Sequence, residues 1–88
     1  MKKTVEVIEV ENEGFLKLMD QVITVMCMNY FYTGKLIGVN DTCILLKDPK
    51  LVYDTGKWSD SGWADAQALP CDEYYISVSA IESFGVLK

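Results

Sequence analysis

Side chains that could do chemistry are scarce in this chain, and their types argue against catalysis. All eight basic residues are lysines, so the sequence has neither histidine nor arginine. The usual general base near neutral pH is therefore missing, as is the planar fork that binds phosphate and guanine in bidentate fashion. The sequence shows no nucleophile paired with a base, no metal-ligand spacing and no glycine-rich phosphate loop. We expect a protein that is not an enzyme and needs no metal or cofactor.

The cysteines and the lengths of the apolar runs indicate in which cellular compartment the protein resides. Cys27, Cys43 and Cys71 form an odd set without metal spacing, and we interpret them as buried free thiols in a reducing environment. No stretch reaches the length of a transmembrane helix. The residues after Lys2 and Lys3 alternate with glutamates, unlike the apolar segment of a signal peptide. These features predict a cytoplasmic protein without membrane association.

Length and charge set further bounds. A chain of 88 residues makes one domain. Hydrophobic residues are 50% of the total, enough for a modest core, and domains this small often gain stability by oligomerising. The formal net charge of −5 gives no support for long-range attraction to a polyanion, although a local patch of lysines is compatible with it.

The stretch 22–48 positions the rest of the chain, because it holds three apolar runs separated by two polar breaks. It predicts antiparallel strands over about 22–28, 31–39 and 42–47. Gly34 and Gly38 inside the second run predict strong bending. The first run is apolar on both faces, so two orientations stay open. The inward set is either Val22, Thr24 and Met26 or Ile23, Val25 and Cys27.

The flanking segments complete one domain over residues 1–88. An N-terminal arm and helix occupy about 4–21. Asn12 is the predicted helix cap, and one apolar face holds Phe15, Leu18, Met19 and Val22. Barrel strands occupy about 22–48 and 73–85.

Between the barrel segments, a variable hairpin occupies about 49–72. The third strand is expected to end at Asp48-Pro49, although Leu51, Val52 and Tyr53 could prolong it past a bulge. The last two strands, 73–79 and 80–84, should join at a sharp corner. We expect a mainly β fold, a small, strongly bent, five-stranded antiparallel barrel.

The run Tyr32-Thr33-Gly34-Lys35-Leu36, with Asp41 in register, resembles the first motif of the Sm/Sm-like (LSm) family. Asn29 occupies the position of the family's turn glycine. The short N-terminal helix, the variable connection 49–72 and the paired terminal strands are also similar to the family. In overall look the chain is similar to small Sm-like proteins of marine metagenomic and phage origin. The resemblance implies an SH3-like barrel and, for a phage protein, the cytoplasm of a host cell.

The chain departs from the family where the family binds bases. Ile44 stands at the position of the usual asparagine, and the corner Ile76-Ser77-Val78-Ser79 lacks the usual arginine or Lys-His pair. The resemblance therefore implies the fold more firmly than it implies the family's uridine pocket.

Family members assemble into rings through their fourth and fifth strands and bind RNA near the pore. The resemblance implies nucleic-acid contacts from the loops and from a lysine and a tyrosine, namely Asn40, Asp41, Thr42, Lys35, Tyr75, Ser77 and Ser79. It implies a subunit interface formed by Tyr74, Ile76, Val78, Ile81 and Phe84. Further candidates are Lys47 and Lys50 for phosphate and Tyr30, Tyr32 and Tyr74 for base stacking.

Two functions stay open. One is an oligomeric ring that binds RNA, or single-stranded DNA, as an accessory to nucleic-acid processing. The other is a structural or adaptor ring that binds protein partners through its edge strands and the hairpin 49–72. Trp58 and Trp63 in this hairpin either grip a partner, stack a base or pack against the protein itself.

Overall fold

The computed structural model describes residues 13–88. In chain order these residues form a 3-10 helix Gly14–Leu18, strands β1 Val22–Cys27, β2 Phe31–Val39, β3 Cys43–Asp54, β4 Asp65–Ala68 and β5 Glu73–Ser77, a second 3-10 helix Val78–Ala80, and strand β6 Ile81–Gly85. The prediction of a mainly β protein is confirmed. Within residues 13–88, no helix has the length and apolar character needed to cross a membrane.

Residues 13–88 form six strands rather than the expected five, and these strands make one antiparallel sheet that does not close on itself. Its order is β4-β3-β2-β1-β6, and β5 also pairs with β3. The first part of β3 pairs with β5, from Cys43 opposite Ser77 to Lys47 opposite Glu73. The last part of β3 pairs with β4. The sheet therefore ends in β6 on one side and in β4 and β5 on the other.

β3 is longer than expected because it continues through Asp48-Pro49. Asp48 has a φ of 52°, a left-handed conformation that aspartate tolerates better than most residues. Its N–H donates to Asp72 O at 2.8 Å, and Pro49 O accepts from Leu69 N at 2.9 Å. The irregularity carries β3 from β5 to β4. The expected end of the strand at Asp48-Pro49 is wrong, and the alternative extension to Tyr53 is confirmed.

The core lies against one face of β1, and this face is the second of the two predicted sets. Ile23 and Val25 are 0% exposed and Cys27 is 8% exposed. Thr24, on the opposite face, is also buried, which explains why the apolar pattern left both orientations open. The hydroxyl of buried Thr33 donates to Ile23 O at 2.9 Å. The other core residues are Leu36, Ile44, Leu46 and Ile76.

β2 bends where the sequence placed its glycines, since its register with β3 shifts beside Gly34 and beside Gly38. A Cβ added to Gly34 would lie 3.1 Å from Leu46 Cβ and 3.1 Å from Lys47 O. A Cβ added to Gly38 would meet its nearest neighbour, Leu45 Cβ, at 3.4 Å, which is an ordinary contact. The close approach of the two strands therefore leaves less room for a side chain at Gly34 than at Gly38.

Gly34→Ala is expected to lower the free energy of unfolding by about 1–3 kcal/mol, because the new methyl group meets the backbone of a paired strand. Gly38→Ala is the matched control and should change it by less than about 1 kcal/mol. Urea denaturation of both variants measures the difference. Equal losses at the two positions would contradict the close-approach explanation.

The N-terminal part of the described chain packs against the sheet through a 3-10 helix rather than a two-turn helix. Phe15, Leu18 and Met19 contact the core, whereas Val22 begins β1 and is 58% exposed. The backbone that follows the helix is tied to β2, since Asp20 N donates to Leu36 O at 2.7 Å and Leu36 N donates to Gln21 O at 2.9 Å. The predicted arm 4–10 and the Asn12 cap lie outside the described residues.

Two further expectations need correction. The corner between the last two strands is a 3-10 helix, Val78–Ala80, so β5 ends at Ser77 and β6 begins at Ile81. The cysteines are free thiols, but only Cys27 is buried, while Cys43 is partly buried and Cys71 is exposed. The sequence placed Cys71 in the interior wrongly, because its position beside Pro70 lies in the exposed loop before β5.

Candidate nucleic-acid interface

Two loops that are distant in sequence meet at one end of the sheet. The turn between β2 and β3 and the 3-10 helix between β5 and β6 are joined by a hydrogen bond from Val78 N to Thr42 O at 2.9 Å. The ladder continues directly from this contact, with Ser77 opposite Cys43. The structure thus brings together Asn40, Asp41, Thr42, Ser77 and Ser79, all exposed. We call these five residues the turn cluster.

Asn40 stabilises the turn through hydrogen bonds that its side-chain oxygen accepts from neighbouring residues. Asn40 Oδ1 accepts hydrogen bonds from Thr42 N at 2.8 Å, Thr42 Oγ1 at 3.0 Å and Cys43 N at 3.0 Å. This is the local backbone capture that makes asparagine favourable in turns. A ligand would meet the amide nitrogen of Asn40, which can only donate hydrogen bonds.

The two serines of the turn cluster pair with each other. Ser77 Oγ and Ser79 Oγ are 2.8 Å apart, and each oxygen keeps acceptor capacity for a ligand. Tyr75 precedes Ser77 by two residues on β5, so the two side chains project from the same face of the strand. The Tyr75 side chain is 67% exposed. A stacking platform and hydrogen-bonding groups therefore lie side by side at this edge.

The predicted interface residues divide into two groups. Ile76 is 5% exposed and Val78 and Ile81 pack against the core, so these side chains belong to the interior of the single chain. Tyr74 and Phe84 are exposed at 38% and 40%. Sequence alternation alone would have separated Tyr75, which points outward, from Ile76, which points inward.

A groove of about 610 Å³ opens between the β1–β2 turn and the β5–β6 edge. Its lining is rich in tyrosine, and the Tyr32 and Tyr74 rings lie 5.9 Å apart between centroids. The tyrosines that line it are Tyr30, Tyr32, Tyr74 and Tyr75. The groove thus unites the four tyrosines that the sequence offered as stacking candidates.

Cys27 and Tyr32, two titratable groups in this groove, have raised pKa values that favour their neutral forms. Burial, followed by the Glu82 carboxylate, raises the pKa of the Cys27 thiol. Burial, with smaller effects from Tyr74, Cys27 and Tyr30, raises the pKa of Tyr32. A thiol with a raised pKa is protonated near neutral pH and is a poor nucleophile. The groove is therefore suited to packing and stacking rather than to nucleophilic chemistry.

Lys35 lies elsewhere, on a second surface that it shares with Lys47 and Lys50. Lys35 is the direct partner of Lys47 across β2 and β3. All three lysines line a depression of about 420 Å³ together with Asp48 and Trp63. Like charges directly opposite each other on a sheet are unfavourable unless an anion relieves them. The structure therefore groups the predicted phosphate contacts, but in a different depression from the tyrosine groove.

The same depression contains Lys88, which the sequence pattern did not indicate as part of a site with Trp63. Lys88 follows β6, far along the chain from the lysines of β2 and β3. Folding places Lys88 in this depression, and no residue spacing in the sequence predicts that position.

Comparison of the chain with protein-family models and with curated proteins returns no match. Within residues 13–88, no three histidine, cysteine, aspartate or glutamate side chains are grouped so that they could hold a metal ion.

Proposed function

We propose that this protein is an Sm-like subunit that assembles into an oligomeric ring and binds single-stranded RNA without catalysis. The observation that carries the proposal is the open sheet, whose edges include β5 on one side and β6 on the other. These two strands follow each other in the chain across a single 3-10 turn. Unpaired strand edges favour pairing with another chain.

A subunit with two different free edges joins its copies head to tail. If β5 of one copy pairs with β6 of the next, the contact is heterologous, and a suitable rotation closes it into a ring. Exposed Tyr74 on β5 and exposed Phe84 on β6 give both edges apolar side chains to bury. The bend of β2 at its glycines and the irregularity at Asp48 agree with a small barrel of the SH3-like kind.

The turn cluster supplies the nucleic-acid contacts in this proposal. The Asn40 amide, the Thr42 hydroxyl and the paired serine hydroxyls would contact base edges, and Tyr75 would stack a base. Repetition of one weak site around a ring raises the overall affinity through effective concentration. Lys35, Lys47 and Lys50 would contact phosphates where the strand leaves the turn cluster. Single-stranded DNA is the second ligand to compare, because stacking does not depend on the 2′-hydroxyl.

Titration of labelled U-rich RNA, A-rich RNA and single-stranded DNA at low and high salt tests this function. We expect saturable binding that weakens with salt, since lysine–phosphate contacts release counterions. Tyr75→Leu should weaken binding about 5- to 150-fold, the loss expected for one stacked base, while it keeps an apolar side chain at the edge. Light scattering on the same samples reports whether assembly is retained.

Tyr53→Leu is the matched control, because Tyr53 is also an exposed tyrosine, at 51%, but lies in β3 next to β4. It should leave the affinity unchanged. Absence of saturable binding to all three oligonucleotides at low salt would remove the nucleic-acid role.

A second function, an adaptor ring that binds protein, is favoured by the tyrosine groove. Among the described residues that line it, no side chain is cationic and Glu82 is acidic, which suits a polypeptide better than a phosphate chain. Binding of protein through the hairpin is tested by replacing residues 55–64, which lie outside the groove, with Asn-Gly. Asp54 and Asp65 are partners across β3 and β4, so a two-residue turn joins them. Loss of protein partners with retained oligonucleotide binding identifies the hairpin as a protein-binding element.

A further inference from the structure

The ammonium group of Lys88 is enclosed by the loop between β3 and β4. Lys88 Nζ donates hydrogen bonds to Thr55 O at 2.7 Å, Lys57 O at 2.9 Å and Gly62 O at 2.8 Å. A lysine ammonium has three N–H donors and no acceptor. Each donor therefore has one backbone carbonyl, and the loop satisfies the whole group.

Two tryptophan rings complete the enclosure. Lys88 Nζ lies 4.7 Å from the centroid of Trp63 and 5.4 Å from the centroid of Trp58. The rings are nearly perpendicular, at 84°, with centroids 6.2 Å apart. Both distances are within the range of cation–π attraction, and indole is the ring that attracts cations most strongly. We call the three carbonyls and the two indoles the ammonium cage.

The loop is held in shape by bonds that do not involve Lys88. Gly56 N donates to Asp54 Oδ1 at 2.9 Å, and Asp60 N donates to Lys57 O at 3.0 Å. Gly56 has a φ of 68°, and a Cβ at this position would lie 3.2 Å from Ala64 Cβ. Both features favour glycine over residues with a side chain at this position of the loop. The ammonium cage is pre-organised, so it should persist when its occupant leaves.

The charge of the loop also favours a cation. Residues 54–65 contain three aspartates and one lysine, a formal charge of −2. The ammonium cage is independent of the family resemblance. Its carbonyls are backbone groups, which no sequence motif can indicate.

We propose that the β3–β4 loop is a receptor for a primary alkylammonium group, as on a lysine side chain, and that Lys88 occupies it in cis. The three carbonyls converge on one point and select a group with three N–H donors on a single nitrogen. A quaternary ammonium offers no donor, and the planar guanidinium presents its donors in a flat fork. While Lys88 is bound, it ties the segment after β6 to the β3–β4 hairpin and keeps external amines out through its high effective concentration.

The experiment empties the cage and offers it a free amine. Trp58 and Trp63 are the two tryptophans of the chain, so tryptophan emission reports on the ammonium cage alone. Lys88→Ala should change the emission spectrum, and n-butylammonium should restore it in a saturable manner. Butyltrimethylammonium should bind at least about tenfold more weakly, because it cannot donate to the carbonyls. The unmodified protein should not respond at the same concentrations.

Lys57→Ala is the matched control, because Lys57 contributes its carbonyl to the cage and not its ammonium group. It should behave like the unmodified protein. If circular dichroism shows that Lys88→Ala is unfolded, Lys88→Met replaces it in the same experiment, because methionine keeps the apolar part of the side chain.

Three results would overturn the proposal in a folded variant without the Lys88 ammonium. The first is no saturable response to n-butylammonium. The second is equal or tighter binding of butyltrimethylammonium, which would identify an aromatic cage without a role for the carbonyls. The third is an equal response to potassium chloride, which would identify a general cation site. Oligonucleotide binding does not enter this test, so its outcome is independent of the function proposed above.

Discussion

Leu36→Ala will lower the free energy of unfolding by about 2–5 kcal/mol, because it removes buried methyl groups from a site that neighbouring strands prevent from collapsing. Leu36 is 0% exposed in the core, and it pairs with Leu46 across β2 and β3. Its backbone N–H and C=O both bond the segment that follows the N-terminal 3-10 helix. A domain of this size has a total stability of about 5–15 kcal/mol, so the variant loses a large share of it.

Leu16→Ala is the control with the same chemistry, since Leu16 is 55% exposed. It should change the free energy of unfolding by less than about 0.5 kcal/mol. Urea denaturation at one fixed protein concentration measures both variants, because assembly of copies would make stability depend on concentration. Similar losses for the two leucines would show that the core is not where the structure places it.

Tyr74→Lys will shift the proposed ring towards single subunits. Tyr74 lies on the free edge of β5 with 38% of its side chain exposed, and it would be covered when β6 of a neighbouring copy pairs there. A lysine leaves a charge at a contact that copies must desolvate, which is how natural edge strands avoid association. Loss of a central tyrosine of an interface typically weakens association by about 2 kcal/mol or more, roughly 30-fold in the dissociation constant.

Light scattering and sedimentation over a range of concentrations measure this shift. Tyr53→Lys is the matched control, because it places the same charge at an exposed tyrosine outside β5 and β6. It should leave the mass of the particle unchanged. An unmodified protein that sediments as a single subunit at all concentrations would contradict the proposed ring. It would also remove the repeated binding sites on which the RNA proposal depends.

The strands themselves could be predicted from the sequence because their signals are local. Apolar runs separated by Asn29 and by Asn40-Asp41 gave β1, β2 and the start of β3, and the two glycines gave the bend of β2. The orientation of β1 could not be predicted, since Thr24 and Val25 are both buried and the two faces look alike.

The course of β3 depends on tertiary contacts. Asp48-Pro49 usually ends a strand, because proline cannot donate to the ladder. Here the left-handed Asp48 turns its N–H to Asp72 while Pro49 accepts from Leu69, so partners from the far side of the hairpin keep the strand paired. Those partners lie some twenty residues away, and no local pattern predicts them.

The candidate site was predictable in part. The meeting of the β2–β3 turn with the corner after β5 followed from a family resemblance, and the structure joins them through Thr42 and Val78. Lys35 lies apart from the turn cluster, because it lines the depression beside Trp63. The ammonium cage could not be predicted from the sequence, since three of its five groups are backbone carbonyls.

The pairing of β6 with β1 sets an order for the folding of the subunit. The meander from β1 to β3 joins neighbours in sequence, whereas the β1–β6 ladder joins Thr24 with Gly85. Long-range strand pairs form late in folding, because pairing them costs the conformational entropy of the long intervening chain. A nascent chain would therefore hold β1 half-paired until β6 had left the ribosome. In that interval, the place reserved for β6 is open to the same strand of another copy, and domain-swapped dimers are the by-product to look for during refolding at high concentration.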